Sequence, residues 1–478
     1  MTETNSFDVN KFLSAYRKVL LWAAVGLAEF YLLWTLMQFV IWDKPYLKLE
    51  KWWGTALIAG AAVYLIIAAR KCPEEMKRIA GVRKRAVSPE QVFVIVFFVW
   101  YIVVCALRTA LDGKTYFSAN DNRLFYTALA AFLFFPFIEY VGRDKARRII
   151  EIMMNSALFA YTPVCAWVLW KYYHGELVSF PSGETVTLYN GNSMQIGMHR
   201  NTTASYSIIL LGVCIYMLLT VVSKLKYAVY IPCCLIHLFV IMLSNSRTSF
   251  VVLIAMVSCA VIMRGMKYVK VKNKGLIIIA AIVIIAAGAV LFYFLRNGIL
   301  SSNADVWKEK LQNNSAMKAR KMQGLNGRIN IWKASFKLMV SSTDRFFLGV
   351  TPTVLKSALW DIGRFPVKQP HCHNLLLQVG CCFGVPMMIA YTWFVFSIVR
   401  RSVRVMLYNG DKLFKNSWAV PVVVLGILMT EIMEVLTLAN KYMNLPVFFV
   451  LAGCIVVMDK LITEENTNKS KKWQKSII

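Results

Sequence analysis

Two histidines one residue apart, in His371-Cys372-His373-Asn374, and three arginines, Arg200, Arg247 and Arg328, are the side chains of this sequence best suited to chemistry. A neutral imidazole can take up a proton near neutral pH, since its reference pKa is about 6.5. A guanidinium stays charged at any working pH and grips phosphate oxygens in a fork. Together they suit a reaction that deprotonates one partner while holding an anionic one. Residue type leaves three readings of the histidines open: an interfacial structural histidine, a metal ligand with Cys372 as a further donor, or a general base. No other cluster of His, Cys, Asp or Glu on the same side has metal-ligand spacing, so neither a metal nor a cofactor is expected.

Each arginine has its own setting. Arg200, in His199-Arg200-Asn201, and Arg247, in Ser244-Asn245-Ser246-Arg247-Thr248-Ser249, stand where apolar blocks begin. Singly, each is as readily a snorkelling residue as an anion ligand; two on one side favour the anion. Arg328 opens Gly327 to Met339, where Ile329, Trp332, Phe336 and Met339 fall at helical spacing and predict an amphipathic helix lying on a bundle or in an interface. Backbone N–H groups at a helix start also favour an anion. From Asn297 to Pro370 the only carboxylates are Asp305, Glu309, Asp344 and Asp361 among many Lys and Arg. Such a basic surface fits a phosphate-bearing lipid, or anionic headgroups generally.

The elements that must position these residues are apolar. Of 478 residues 58% are hydrophobic, and mean hydropathy is +0.54. The apolar residues fall in blocks near bilayer-spanning length, without the alternation a barrel requires. The expected fold is all-α: a polytopic membrane bundle of about 12 transmembrane helices near 19–42, 52–69, 90–111, 122–141, 149–170, 201–222, 227–243, 247–263, 275–295, 373–399, 417–437 and 442–459. Helices one to nine occupy 1–296, a large and partly helical extracytoplasmic loop 297–372, and the last three helices with a tail 373–478. The first block is too long for a cleaved signal and is expected to stay as a span.

The net charge of +29 sits mainly at block ends, which argues for topology setting and against nucleic acid binding. The even joints are the basic ones: Arg70 to Arg85, Arg143 to Arg148, Arg264 to Lys274 and Arg400 to Lys415. Both termini are therefore expected in the cytoplasm, and the histidines and all three arginines at the outer face. The eleven cysteines form no CxxC pair and read as small core residues. Gly380, Gly384 and Pro386 suggest close packing or a kink in the tenth span. Glu431 and Glu434, costly inside a span, are expected to pair with Arg200 or Arg247 rather than act directly.

Span order, the large outward loop, Ser-Arg-Thr at 246–248, Gly-Arg-x-x-x-Trp at 327–332 and His-Asn-Leu-Leu-Leu-Gln at 373–378 resemble the O-antigen ligase and polymerase superfamily of bacterial membrane glycosyltransferases. The resemblance implies a metal-independent enzyme of the plasma membrane, acting outside the cytoplasm on a glycan carried by undecaprenyl diphosphate. Arg247 and Arg328 would hold the diphosphate, Arg200 would assist, and His373 would activate the hydroxyl of a glycan, lipid or wall acceptor. Absence of an Asp-x-Asp metal motif agrees with arginines stabilising the leaving group. Direct displacement with one base predicts inversion. A ligase and a polymerase joining lipid-linked repeats both fit, and a flippase or transporter is the alternative from another class.

Overall fold

The computed structural model describes residues 88–113, 143–174, 200–220, 224–268, 325–365, 371–408, 417–435 and 444–477 with small gaps, one pair of short strands and a few isolated positions. The expected spans at 19–42, 52–69, 122–141 and 275–295 lie outside these residues apart from scattered positions, as do 297–324 and 366–370. The described chain is almost entirely helical, with α1 at Pro89–Asp112, α2 at Arg143–Tyr173, α3 at Arg200–Thr220, α4 at Lys224–Leu243 and α5 at Arg247–Tyr268. After a gap come α6 at Leu325–Met339, α7 at Thr343–Leu348, α8 at Thr351–Gly363, α9 at Leu375–Phe383, α10 at Val385–Leu407, α11 at Ala419–Glu431 and α12 at Asn444–Ile477. Between α2 and α3, β1 at Val178–Ser179 pairs antiparallel with β2 at Thr185–Val186.

Sequence dictates the limits of α1 closely. Ser88 caps it, its hydroxyl accepting from Gln91 N at 3.3 Å while Gln91 Oε1 accepts from Ser88 N at 2.9 Å. Pro89 begins the helix and Gly113, at φ 63°, ends it. One face of α1 is buried through Phe93, Val94, Phe97 and Tyr101, with Phe93 stacked on Phe394 of α10 at 4.7 Å between ring centres. Its opposite face is also apolar, and Val92, Ile95, Val96 and Val99 are exposed. Among the described residues, α1 and the Asn201–Leu218 stretch of α3 are long and apolar enough to cross a membrane.

Helices α3 and α11 lie in the middle of the described bundle, with α5, α10 and α12 packed against α11, and α2 and α4 against α3. Close approach depends on small residues. A Cβ added to Gly426 would come within 2.3 Å of Met256 Sδ, and one on Gly212 within 3.0 Å of Val423 Cγ2.

Where the tenth span was expected as one helix over 373–399, the chain forms two. Gly384, at φ 89°, separates α9 from α10, so the long apolar helix starts at Val385 rather than at His373. A Cβ on Gly384 would sit 2.1 Å from Phe347 O, so this break is also where α7 touches α9 and α10. The eleventh apolar helix likewise stops at Glu431, leaving Glu434 beyond its end.

Polar contacts gather at the two ends of the bundle. At one, Arg401 of α10 binds Glu90 of α1 at 2.7 Å and also meets Asp459 of α12, which Arg404 reaches at 3.0 Å. At the other, Arg108 at the far end of α1 donates to Gly349 O at 2.7 Å and to Asp344 at 2.6 Å. That second end also receives the starts of α3, α5 and α9.

Candidate active site

The site is assembled from four distant parts of the chain around one carboxylate. Glu434, 4% exposed, lies just past α11. Its Oε1 accepts from Arg328 at 2.8 Å and also from Asn201 Nδ2, and its Oε2 stands 3.4 Å from His373 Nδ1. Arg328 reaches Thr248 Oγ1 at 3.4 Å as well. A buried carboxylate costs several kcal/mol unless its lone pairs are met, and two donors with a facing imidazole supply that here. Burial raises the Glu434 carboxyl, but contact with His373 and the charges of His371 and Arg328 outweigh it and hold it at about 2.

Each partner is placed by its own element. Arg328 lies in the first turn of α6, as the spacing at 327–339 predicts, but the helix turns a different face inward. Ile331, Ala334, Ser335, Leu338 and Met339 are buried, whereas Ile329 is 37% and Phe336 60% exposed. The inner face sits on α9, where Cys381 Sγ meets Ser335 O at 3.4 Å and Gly380 leaves room for Met339. Arg328, half-buried on this helix, is thereby aimed across the bundle at Glu434.

His373 is set by a turn tightened on both sides. Its φ is 51°, unusual for a side chain larger than glycine. Asn374 caps α9, accepting from Leu377 N at 3.0 Å, and donates to Ile432 O at 3.0 Å, which ties the turn to the end of α11. Gln378 Oε1 accepts from Cys372 N at 3.0 Å, and His371 Nδ1 accepts from His373 N at 3.2 Å. The two imidazole rings lie 4.1 Å apart. Cys372 is fully buried and turned to Cys381, away from the cluster.

Arg200 and Arg247 are the first residues of α3 and α5. Their neighbours Asn201 and Thr248 bind Glu434 and Arg328, so both helix starts converge on the cluster. The arginine side chains themselves lie outside the described residues. Among the described residues the partners of Glu434 are Arg328, Asn201 and His373, and the pairing expected with Arg200 or Arg247 falls on side chains outside them. Sequence reasoning set Glu434 aside, and missed Asn201 and Thr248 as contacts. The available signals were a carboxylate in an apolar run and polar residues directly following Arg200 and Arg247.

The described residues define a mainly helical protein that gathers a guanidinium, a carboxylate and an imidazole at one end of its bundle. Residues 232–392 match the O-antigen ligase family, a stretch containing Arg247, Arg328 and His373. The resemblance to the O-antigen ligase superfamily read from the motifs at 246–248, 327–332 and 373–378 is thus borne out over that stretch. Arg200 and Glu434 fall outside it. No curated protein matches the chain.

Proposed function

We propose that this protein is a multi-pass glycosyltransferase of the bacterial plasma membrane. In this reading it moves a glycan from undecaprenyl diphosphate to an acceptor hydroxyl at the outer face, with both chain termini in the cytoplasm. The observation that carries the reading is Glu434 joining Arg328 to His373, one group able to hold an anion and one able to take a proton. Its other supports are the O-antigen ligase match and the exposed apolar faces of α1 and α10, such as Val99, Ile389, Trp393 and Phe396, which suit lipid contact.

Donor binding would place the diphosphate against Arg328, with Arg200 and Arg247 adding charge from the starts of α3 and α5. Rupture of the sugar–phosphate bond builds negative charge on the leaving oxygen, and preorganised cations lower that barrier most. His373 acts as the base. Glu434 faces its Nδ1, which favours a proton there and leaves the lone pair of Nε2 to accept the acceptor's proton. As the ring becomes cationic, the carboxylate stabilises it. Attack on the anomeric carbon opposite the diphosphate then inverts configuration, without a metal.

The cluster lies at one end of the bundle, as suits an interfacial transferase better than a carrier with a midplane site. Ligase chemistry, transfer of a finished chain to a terminal acceptor, is the reading the family match favours; repeat polymerisation is the alternative. The test is turnover of a lipid-linked glycan by purified protein. His373→Ala and Arg328→Ala are each expected to lower it roughly a hundredfold or more. Wild-type rates in both variants, or a retained anomeric linkage in the product, would contradict the mechanism.

A further inference from the structure

We propose that His371, His373 and Glu434 form a site for a zinc-class divalent cation, and that loading it silences the enzyme. The inhibitory half rests on the reading of His373 as base; the binding half does not. Each residue offers one donor atom, and the three atoms lie within 4.8 Å of one another. A His, His, Glu set with an open fourth position is a donor combination zinc favours, whereas Mg²⁺ and Ca²⁺ prefer oxygen throughout.

Two geometric details favour this site. Tetrahedral zinc, with bonds near 2.05 Å, holds its donors about 3.3 Å apart. The His373 Nδ1 to Glu434 Oε2 separation is 3.4 Å, so one edge of the tetrahedron already exists. Moreover, His373 Nδ1 is buried and faces Glu434 Oε2, so these two donor atoms are already turned toward each other. Glu434 Oε1 is occupied by Arg328 and Asn201, an outer shell that orients the carboxylate and turns Oε2 to the site. The remaining corner, His371, must move inward by up to roughly 1.5 Å to reach tetrahedral separation. It lies half-exposed at the edge of the cluster. The nearby guanidinium of Arg328 repels a cation, so binding is weaker than in a site without it.

Inhibition follows from the ring itself. A neutral imidazole has one proton and one lone pair. Metal on Nδ1 sends the proton to Nε2, and the ring then has no lone pair for the acceptor's proton. Glu434 Oε2, bound to the same ion, can no longer steady an imidazolium.

The experiment uses full-length protein in detergent, stripped with chelator and titrated with zinc, with metal content and turnover measured on the same samples. One zinc per chain is expected in the wild type, resisting excess Mg²⁺, with turnover falling about a hundredfold as expected for a lost base and returning on chelation. His371→Ala should bind no stoichiometric zinc, and the turnover it retains should not fall on adding zinc. His371→Gln repeats this comparison if the alanine variant misfolds. Absence of stoichiometric zinc from the wild type, its persistence in the His371 variants, or stimulation by zinc would overturn the proposal. Because metal content is read without turnover, a wild type that binds zinc beside a fully active His373→Ala variant would defeat the base assignment and leave the metal site standing.

Discussion

At the scale of single residues, Glu434 is the group that joins Arg328 to His373. Its carboxylate is the only group seen to touch both among the described residues, at 2.8 Å and 3.4 Å. Glu434→Gln keeps the shape but removes the charge that opposes Arg328 and would stabilise a protonated His373. The amide can present either its oxygen or its NH₂ to Nδ1, so the ring loses its fixed tautomer. Turnover is expected to fall roughly a hundredfold. Turnover near the wild-type rate in this variant would reduce Glu434 to packing. His373 and Arg328 were legible as candidates because imidazole and guanidinium have few uses at an apolar boundary. Glu434 was visible as a carboxylate in an apolar block, yet its partners were not. Local periodicity cannot say which of several helix ends meet, and Arg328 reaches it from 106 positions away.

At the scale of elements, the segment from Leu325 to Phe383 is fixed to the bundle by close backbone contacts and by Arg108. Gly384 is one such contact, and its left-handed φ of 89° together with a Cβ position 2.1 Å from Phe347 O leaves no room for a side chain. Gly384→Ala is expected to cost roughly 2–5 kcal/mol from strain and overlap combined. Gly113→Ala is the control. That residue has a φ of 63° but nothing within 4 Å of its Cβ position, so about 1 kcal/mol is expected. Thermal unfolding in detergent distinguishes the two, and equal losses would deny the packing role of Gly384.

The Arg108 anchor adds a pH dependence to the same segment. Ser342 and then Arg108 hold the Asp344 carboxyl below its ordinary 3.8 despite some burial. A carboxyl lowered on folding stabilises above its unfolded value and loses that contribution as pH falls through the folded one. Amide exchange in α7 should therefore be faster in Asp344→Asn than in the wild type near pH 7, and the difference should shrink as pH falls below the ordinary carboxylate range toward the lowered folded value. The bounds of α6 were readable within two residues from the 327–339 pattern. Its facing was not, since Phe336 and Ile329 are exposed, and in a chain expected to meet lipid an apolar side chain does not have to be an inner one. The break at Gly384 was masked for the same reason, because apolar residues continue on both sides of it.

At the scale of the whole molecule, sidedness links the site to its substrate. The two polar ends of the bundle are distinct: Glu90, Arg401, Arg404 and Asp459 at one, Arg108, Asn201, Arg328, His373 and Glu434 at the other. Helix directions agree, since α1 runs from Glu90 to Arg108 while α10 runs from the site end to Arg401. The first end adjoins the basic joints Arg83-Lys84-Arg85 and Arg400 to Lys415, which a positive-inside bias puts in the cytoplasm. On that bias the site end is expected to face outward, where the proposed donor, a flipped lipid-linked glycan, would be found. Alkaline phosphatase is active only outside the cytoplasm, so fusions after Gly113 and within 436–443 should be active, and fusions within 409–416 or after Ile478 inactive. Phosphatase activity within 409–416 would turn the cluster toward the cytoplasm and remove its access to a flipped donor. The chemistry of Arg328 and His373 would survive that result, whereas a ligase acting at the outer face would not.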